Sequence, residues 1–313
     1  MNIMKLSSYS FFDINNINFL NVCFFLAVLF IYLYIYRILR PKNNLENFSN
    51  KESFELMVNE NIYDSEYTDM YDNLHDVKKR CSNELVQITK ITQPNNKSVI
   101  LDVGSGTGYK VNELNEAGYK TYGIETSDSM ISYCKKLYPS IHIEKNTVLD
   151  PMAFDKSTFT HILCTYFTIY ELKDKKQFFR NCYFWLQPNG YLVLHLVDRN
   201  KMTKIIPHDT NVEEFNSSSN KTLENITVFN DFKYKGLLKI PTNESDNQVE
   251  LIETFTDHET NSIRQNQLVY NMESIETILN YASQSGFIFH SKVNMTNMNE
   301  DNQQYLFFFE RPL

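Results

Sequence analysis

The sequence contains little cysteine, and its five cysteines are scattered along the chain without any C-x-x-C pair. No spacing of cysteine and histidine is typical of a zinc site, so the sequence argues against the common zinc modules, and we expect no bound metal. The odd number of cysteines and the absence of a paired pattern also argue against a disulfide-stabilised secreted domain. A reducing compartment fits this cysteine usage best.

The sequence also lacks an excess of basic residues. It has 30 lysine and arginine residues against 38 aspartate and glutamate residues, which is a formal net charge of -8 at pH 7. Proteins that bind nucleic acid usually present a basic face, so this balance argues against a nucleic-acid partner. With 42% hydrophobic residues in 313 positions, the chain is long enough for one large domain or two small ones.

One long segment near the N-terminus carries no charge. Residues 14–36 contain no charged side chain, and their second half is almost wholly apolar. A helix rises about 1.5 Å per residue, so this segment is long enough to cross a hydrocarbon core of about 30 Å. Arg37, Arg40 and Lys42 follow directly, and the positive-inside rule places such residues in the cytosol. The sequence therefore predicts one transmembrane helix at about residues 17–39, with the rest of the chain cytosolic.

Two other interpretations of this segment stay open. It could be a cleaved signal peptide, although the apolar run is longer than usual and no clear small-residue cleavage site follows it. It could also be a core helix, although it is apolar around its whole circumference rather than along one face. After the predicted N-terminal segment of residues 1–40, we expect a polar linker over residues 41–70 and a folded domain over residues 71–313.

Strands and helices alternate through the first half of that domain. A helix is predicted at residues 71–92, and apolar runs predict strands at 99–103, 120–124, 159–165 and 191–197, with helices between them. This alternation is typical of a parallel sheet with right-handed crossovers. From about residue 199 to 271, strand-like segments follow one another without helices, which indicates an antiparallel insertion. A final helix and a predicted hairpin, at 287–293 and 305–309, close the domain.

The first predicted strand leads into a loop with glycine at every second position. Residues 101–108 read LDVGSGTG, and a helix-like stretch follows. Such a loop presents backbone N–H groups to a ligand at the carboxyl end of a strand, which is where open α/β sheets bind ligands. The pattern resembles the first motif of class I S-adenosylmethionine (SAM)-dependent methyltransferases.

Three further segments are similar to motifs of the same family, and all four occur in the family's order. Residues 122–130 (YGIETSDSM) resemble the second-strand motif G-x-[DE]-x-S-x-x-M, and residues 154–159 (FDKSTF) resemble the turn before the fourth strand. Residues 185–192 (WLQPNGYL) resemble L-K-P-G-G-x-L before the fifth strand. The resemblance extends over roughly residues 98–197, and the nearest subgroup looks like the small-molecule and ubiquinone-biosynthesis enzymes.

The sequence departs from the family pattern in three places. Asn189 replaces the first glycine of P-G-G, and asparagine also tolerates the left-handed backbone conformation. Asn146 and Thr147 stand where many relatives have Gly-Asp, which weakens the usual acidic contact near the adenine. Tyr170 stands where relatives often carry histidine.

The resemblance implies a Rossmann-like, doubly wound, mostly parallel seven-stranded sheet that binds SAM. The residues implied for the cofactor are Asp102, Gly104, Ser105, Gly106, Gly108, Glu125, Thr126, Met130, Thr147, Val148 and Tyr166. Glu125 follows the loop by about 20 residues, as expected for the acceptor of the ribose diol. Tyr166 would face the sulfonium, whose positive charge favours π-faces. Tyr166 and Tyr170 are the catalytic candidates.

The function implied is transfer of a methyl group from SAM to a small-molecule or lipid-like acceptor near a membrane. SAM carries its own leaving group, so the protein mainly aligns the reactants, and a general base is needed only for a protonated nucleophile. No residue in the sequence is an obvious base. One alternative is a SAM-fold scaffold without catalysis. The other is a nucleotide-dependent dehydrogenase, which the mismatch to G-x-G-x-x-G disfavours.

Overall fold

The computed structural model describes residues 26–32, 54–206, 208, 211–243, 245–295 and 303–313. The chain divides into two compact units, Met1–Glu46 and Asn47–Leu313. In the first unit, residues 26–32 form helix α1, and every one of them is exposed. Among the residues described, no helix is long and apolar enough to cross a membrane. Most of the predicted span lies outside them, so the anchor stays a prediction.

The main sheet of the second unit has seven strands in its described part. They are β2 (Val99–Val103), β3 (Lys120–Glu125), β4 (Ile143–Lys145), β5 (Phe159–Cys164), β6 (Leu186–Val197), β12 (Ile288–Asn294) and β13 (Gln304–Glu310), in the order β12-β13-β6-β5-β2-β3-β4. Strands β2 to β6 pair in parallel, and β13 runs antiparallel to β6 and β12. The predicted mostly parallel sheet and its closing hairpin are confirmed.

Helices connect these strands and cover the sheet. They are α2 (Ser65–Leu74), α3 (Val77–Thr92), α4 (Tyr109–Glu116), α5 (Asp128–Leu137), α6 (Thr168–Glu171), α7 (Lys175–Trp185) and α8 (Ile275–Gln284). The single helix predicted at residues 71–92 is wrong: the chain forms α2 and α3, because Asp76 takes a left-handed φ of 45° between them. Helix α5 begins where the Ser127 side chain accepts the Met130 N–H.

A second sheet follows β6 in the chain. Its strands are β7 (Val212–Asn216), β8 (Asn220–Val228), β9 (Phe232–Pro241), β10 (Gln248–Asp257) and β11 (Ile263–Asn271), paired antiparallel in sequence order. Burial alternates along β10, as expected when one face of a sheet packs on a core and the other meets solvent. The predicted antiparallel insertion after the fifth parallel strand is therefore present.

The second sheet has a sixth strand that comes from the region predicted as a linker. Strand β1 (Phe54–Val58) pairs in parallel with β11, and a 3₁₀ turn at Asn59–Ile62 leads into α2. Arg264 of β11, with a side chain only 1% exposed, binds both carboxylate oxygens of Asp64 at 2.9 and 3.0 Å. The linker prediction is wrong for residues 54–70, because contacts some 200 residues away in the chain hold this segment in the fold.

Candidate functional site

A cleft opens at the carboxyl ends of β2, β3, β4 and β5, the edge at which parallel α/β sheets bind ligands. The segments that leave these four strands form its floor, and the N-terminal segment around α2 covers it. Seven of the residues that the sequence predicts for the cofactor line this cleft: Gly104, Gly106, Glu125, Thr126, Met130, Thr147 and Val148. These seven residues come from three separate segments of sequence, which meet at one place.

The glycine loop between β2 and α4 follows the tip of β3 closely. The backbone N–H groups of Gly104 and Ser105 both donate to the carbonyl oxygen of Ile124, at 2.9 and 3.2 Å. A Cβ at Gly104 would stand 2.5 Å from the side chain of Thr168 on α6, so no side chain fits there. At Gly106, with a φ of +53°, a Cβ would meet no atom within 4 Å. The loop is therefore packed against the protein at Gly104 and open to the cleft at Gly106.

Glu125, the last residue of β3, holds the loop and the start of α5 together. Its Oε2 accepts the backbone N–H of Gly106 at 2.9 Å. Its Oε1 accepts the N–H groups of Thr126 and Ser127, at 2.8 and 2.9 Å. These charge-assisted bonds orient the carboxylate in the cleft and leave further acceptor capacity on Oε2, since each carboxylate oxygen has about two lone-pair sites.

Four predicted cofactor residues, Asp102, Ser105, Gly108 and Tyr166, do not line the cleft, and two of them pack behind the glycine loop instead. Ser105 is buried, with its Oγ 2.6 Å from where a Cβ on Gly123 would lie. Gly108 precedes α4 with a φ of +81°, and a Cβ there would stand 2.4 Å from the Cys134 Sγ. Asp102 is only 5% exposed. The sequence motif marks the loop, but Ser105 and Gly108 pack behind it and do not line the cleft.

Asp102 belongs to a buried group of charges between α3, α4 and β2. The Nζ of Lys110 lies 2.8 Å from Glu84 Oε2 and 4.0 Å from Asp102 Oδ1, and Arg80 lies 3.4 Å from Glu84. Burial raises the pKa of Asp102 to about 6, against the opposing attraction of Lys110. Burial also acts to raise the pKa of Glu84, but Lys110 and Arg80 outweigh it and lower that pKa to about 2. Glu84 is therefore the ionised centre of the group.

The comparison with known families bears on this same region. A profile of the family described as methyltransferase domain matches residues 101–194. Residues 101–194, less than half of the chain, are thus similar to a methyltransferase domain. The match begins within β2, just before the glycine loop, and ends within β6, so it contains the carboxyl ends of all four strands that form the cleft. SAM is the cofactor of this family.

Two curated relatives of the chain are N-methyltransferases by name. The chain is 28% identical over 141 residues to the dTDP-4-amino-2,3,4,6-tetradeoxy-D-glucose N,N-dimethyltransferase of Saccharopolyspora spinosa, covering 42% of this chain and 55% of that protein. It is 27% identical over 158 residues to the phosphoethanolamine N-methyltransferase of Plasmodium falciparum, covering 48% of this chain and 58% of that protein. The matched part thus spans a little over half the length of these relatives.

Solved structures share the fold over most of the chain. The CcbJ methyltransferase of Streptomyces caelestis superposes with a TM-score of 0.61 at 12% identity, covering 80% of this chain and 98% of that one. A SAM-dependent methyltransferase of Clostridium acetobutylicum gives 0.54 at 13% identity, covering 79% and 96%. At these identities the likeness shows the fold alone. The ubiquinone-biosynthesis subgroup stays a prediction.

Tyr166 does not line the cleft of the methyltransferase domain. It lies two residues after the end of β5 with a left-handed φ of +59°, and its hydroxyl lies 2.9 Å from His75 Nδ1. The guanidinium carbon of Arg80 stands 3.9 Å from its ring centroid, so a cation already uses one face of the ring. This position argues against the predicted contact between Tyr166 and the sulfonium.

Tyr170 is placed in the core rather than at the cleft. The side chain is fully buried, and its hydroxyl accepts the backbone N–H of Val197 on β6 at 2.8 Å. Burial raises the pKa of this phenol well above its usual range, so it stays protonated. This position contradicts the prediction that Tyr170 is catalytic, because its side chain joins α6 to the sheet and does not reach the cleft.

The departures from the family pattern keep its geometry. Asn189 adopts a φ of +60°, the left-handed conformation that glycine takes in P-G-G, and its N–H donates to Arg311 O at 2.7 Å. Asn146 lines the cleft beside Thr147, and its Oδ1 accepts the Thr147 N–H at 2.7 Å. The β4 side of the cleft therefore carries amide and hydroxyl groups at the position where the family motif has an acid.

The side chains that cover the cleft were not predicted from the sequence. Tyr63 and Tyr71 line it from the N-terminal side, and Thr168 and Glu171 line it from α6. One signal was present in the sequence, since Tyr63, Tyr67 and Tyr71 recur every four residues, as on one face of a helix. Nothing in that spacing shows which cleft the tyrosines face.

Proposed function

We propose that the protein binds SAM in this cleft and transfers its methyl group to the nitrogen of a small-molecule amine. The observation that carries the cofactor part is Glu125, whose carboxylate is held at the glycine loop by three backbone N–H groups. The amine acceptor is supported by the two curated relatives, both of which are N-methyltransferases by name.

The proposed cofactor position follows the order of the strands. Glu125 at the end of β3 accepts the ribose hydroxyls, while Met130, Thr147 and Val148 surround the adenine toward β4. The open approach at Gly106 admits the part of the cofactor that lies over the loop. The sulfonium then lies on the side of β2 and β5, away from β4. Catalysis rests mainly on alignment of acceptor and methyl group for in-line displacement.

Calorimetric titration of the full chain with SAM, S-adenosylhomocysteine and NADH tests the cofactor. We expect micromolar binding of the first two and none of NADH, whereas binding of NADH alone would favour the dehydrogenase. Transfer of a labelled methyl group to phosphoethanolamine or to a dTDP-4-amino sugar tests the reaction. SAM binding without transfer to any amine would favour the scaffold.

We also propose that the N-terminal segment anchors the protein in a membrane with the methyltransferase domain in the cytosol. The uncharged run of residues 14–36 and the cationic residues after it support this proposal. The full chain is expected to stay in the membrane pellet at alkaline pH, and a chain without residues 1–46 is expected to be released. Recovery of both in the supernatant would contradict the anchor, and protection of the domain from added protease in sealed vesicles would contradict its cytosolic side.

A further inference from the structure

A half-buried acid stands in the cleft on the side where the sulfonium is proposed to lie. Glu171 is the last residue of α6, the short helix that follows β5, and it lines the cleft. Thr168 at the other end of α6 packs against Gly104, so the helix is fixed beside the glycine loop. The Glu171 carboxylate accepts a hydrogen bond from the hydroxyl of Tyr63, with 2.7 Å between Oε1 and the phenol oxygen.

Glu171 differs from the other acids that line the cleft. The carboxylate of Glu125 already binds three backbone N–H groups, and Glu60 lies at an exposed position. Glu171 has a phenol as its hydrogen-bond donor, and no lysine, arginine or histidine among the described residues forms an ion pair with it. A partly desolvated carboxylate without a cation is costly for a fold unless a ligand uses it, so its place in the cleft points to a ligand-binding role.

The surroundings of Glu171 favour a proton exchange near neutral pH. Burial raises its pKa to about 7, repulsion from Glu125 adds to this, and the Tyr63 hydroxyl acts in the opposite direction. The other titratable groups that face it are Cys164 on β5, Tyr71 on α2 and Tyr270 on β11. Burial raises the pKa of each of these, and of Tyr63, so they stay neutral at pH 7.

We propose that Glu171 is the general base that receives a proton from the acceptor amine, and that Tyr63 positions its carboxylate. The inference rests on the proposed function. A primary or secondary amine arrives as an ammonium, whose nitrogen has no free electron pair, and an ionised carboxylate both binds this cation and takes its proton. This assigns the α6 side of the cleft to a cationic amine.

The step balances with these groups alone. The N–H bond of the ammonium breaks, and its proton moves to a Glu171 oxygen, which leaves the electron pair on nitrogen. That pair forms the bond to the methyl carbon, while the carbon–sulfur bond breaks and its electrons remain on sulfur as neutral S-adenosylhomocysteine. The product leaves as the methylated ammonium, and Glu171 returns its proton to water.

The test compares Glu171→Gln and Tyr63→Phe with Glu253→Gln as a matched control. Like Glu171, Glu253 accepts hydrogen bonds from tyrosine hydroxyls, from Tyr67 at 3.0 Å and Tyr234 at 3.2 Å, but it is more deeply buried and does not line the cleft. For each full-length variant, kcat/KM with phosphoethanolamine and with a dTDP-4-amino sugar is measured from pH 5.5 to 9, and SAM affinity is measured by calorimetry.

We expect Glu171→Gln to bind SAM within about threefold of the wild type and to lose about 100-fold or more in kcat/KM at pH 8. The decline of wild-type activity below about pH 7 should be absent in this variant. Tyr63→Phe should move that decline to higher pH, because the hydrogen bond from Tyr63 lowers the pKa of Glu171 and its removal raises that pKa. Glu253→Gln should keep the wild-type pH profile.

A second readout needs neither cofactor nor acceptor. The pKa of Glu171 is raised in the fold from 4.5 to about 7, so the stability that its protonated form contributes is lost as pH rises through that window. The unfolding temperature of Glu171→Gln relative to wild type should therefore rise between pH 5 and pH 8. If Glu171→Gln keeps the wild-type rate and pH profile, the inference about Glu171 is wrong, while the proposed function is unaffected. An inactive wild type on both amines that still binds SAM would overturn the proposed acceptor as well.

Discussion

The sharpest prediction concerns the carboxylate at the tip of β3. Glu125→Ala removes the acceptor for the proposed ribose hydroxyls, and two charge-assisted hydrogen bonds at a partly exposed site are together worth about 3 kcal/mol. This corresponds to a loss of about 150-fold in SAM affinity. The same change frees the N–H groups of Gly106, Thr126 and Ser127, which water can reach from the cleft, so we expect less than about 1 kcal/mol of lost stability.

Glu125→Gln separates charge from shape. Its amide keeps one carbonyl oxygen, but the NH₂ group must then face a backbone N–H donor, either at Gly106 or at Thr126 and Ser127. We expect an intermediate loss of about tenfold in affinity. Glu144→Ala is the matched control, because this acid on the neighbouring β4 lies 3.6 Å from His142 and does not line the cleft.

The assay is calorimetric titration of each full-length variant with SAM, after thermal unfolding has shown that it is folded. Glu144→Ala should bind like the wild type. Binding of SAM by folded Glu125→Ala within threefold of the wild-type affinity would refute the assignment of Glu125 to the cofactor. It would also remove the observation on which the proposed function rests.

Three further predictions concern residues around the cleft. Gly108→Ala should lower the free energy of unfolding by about 3 kcal/mol, because the added Cβ would stand 2.4 Å from the Cys134 Sγ at a left-handed φ. A variant that unfolds at the same urea concentration as the wild type would contradict this. Lys110→Met should cost about 3 kcal/mol in the same assay by leaving buried Glu84 without its closest cation, and a stabilised variant would show that the pair is dispensable. Tyr170→Phe should cost 1 to about 3 kcal/mol by leaving a β6 N–H unsatisfied, whereas reduced turnover at unchanged stability would return Tyr170 to the catalytic candidates.

The parts of the fold that were predictable from sequence depend on short-range pattern. The strand before the glycine loop follows from a run of neighbouring apolar residues, and the acid at the end of the next strand follows from its fixed spacing to the loop. The helix break at Asp76 was not predictable, because the apolar spacing continues through it. Strand β1 was missed because its partner β11 lies about 200 residues further along the chain.

The same distinction holds for the cleft. By itself, the sequence determined the glycine loop and its partner Glu125, because a backbone turn and the end of the adjacent strand require particular residues at a set spacing. The tertiary structure alone decided that Tyr63 meets Glu171 across 108 residues, and that Arg80 covers the ring of Tyr166. Side-chain neighbours of this kind depend on how whole helices and sheets pack, which no local pattern encodes.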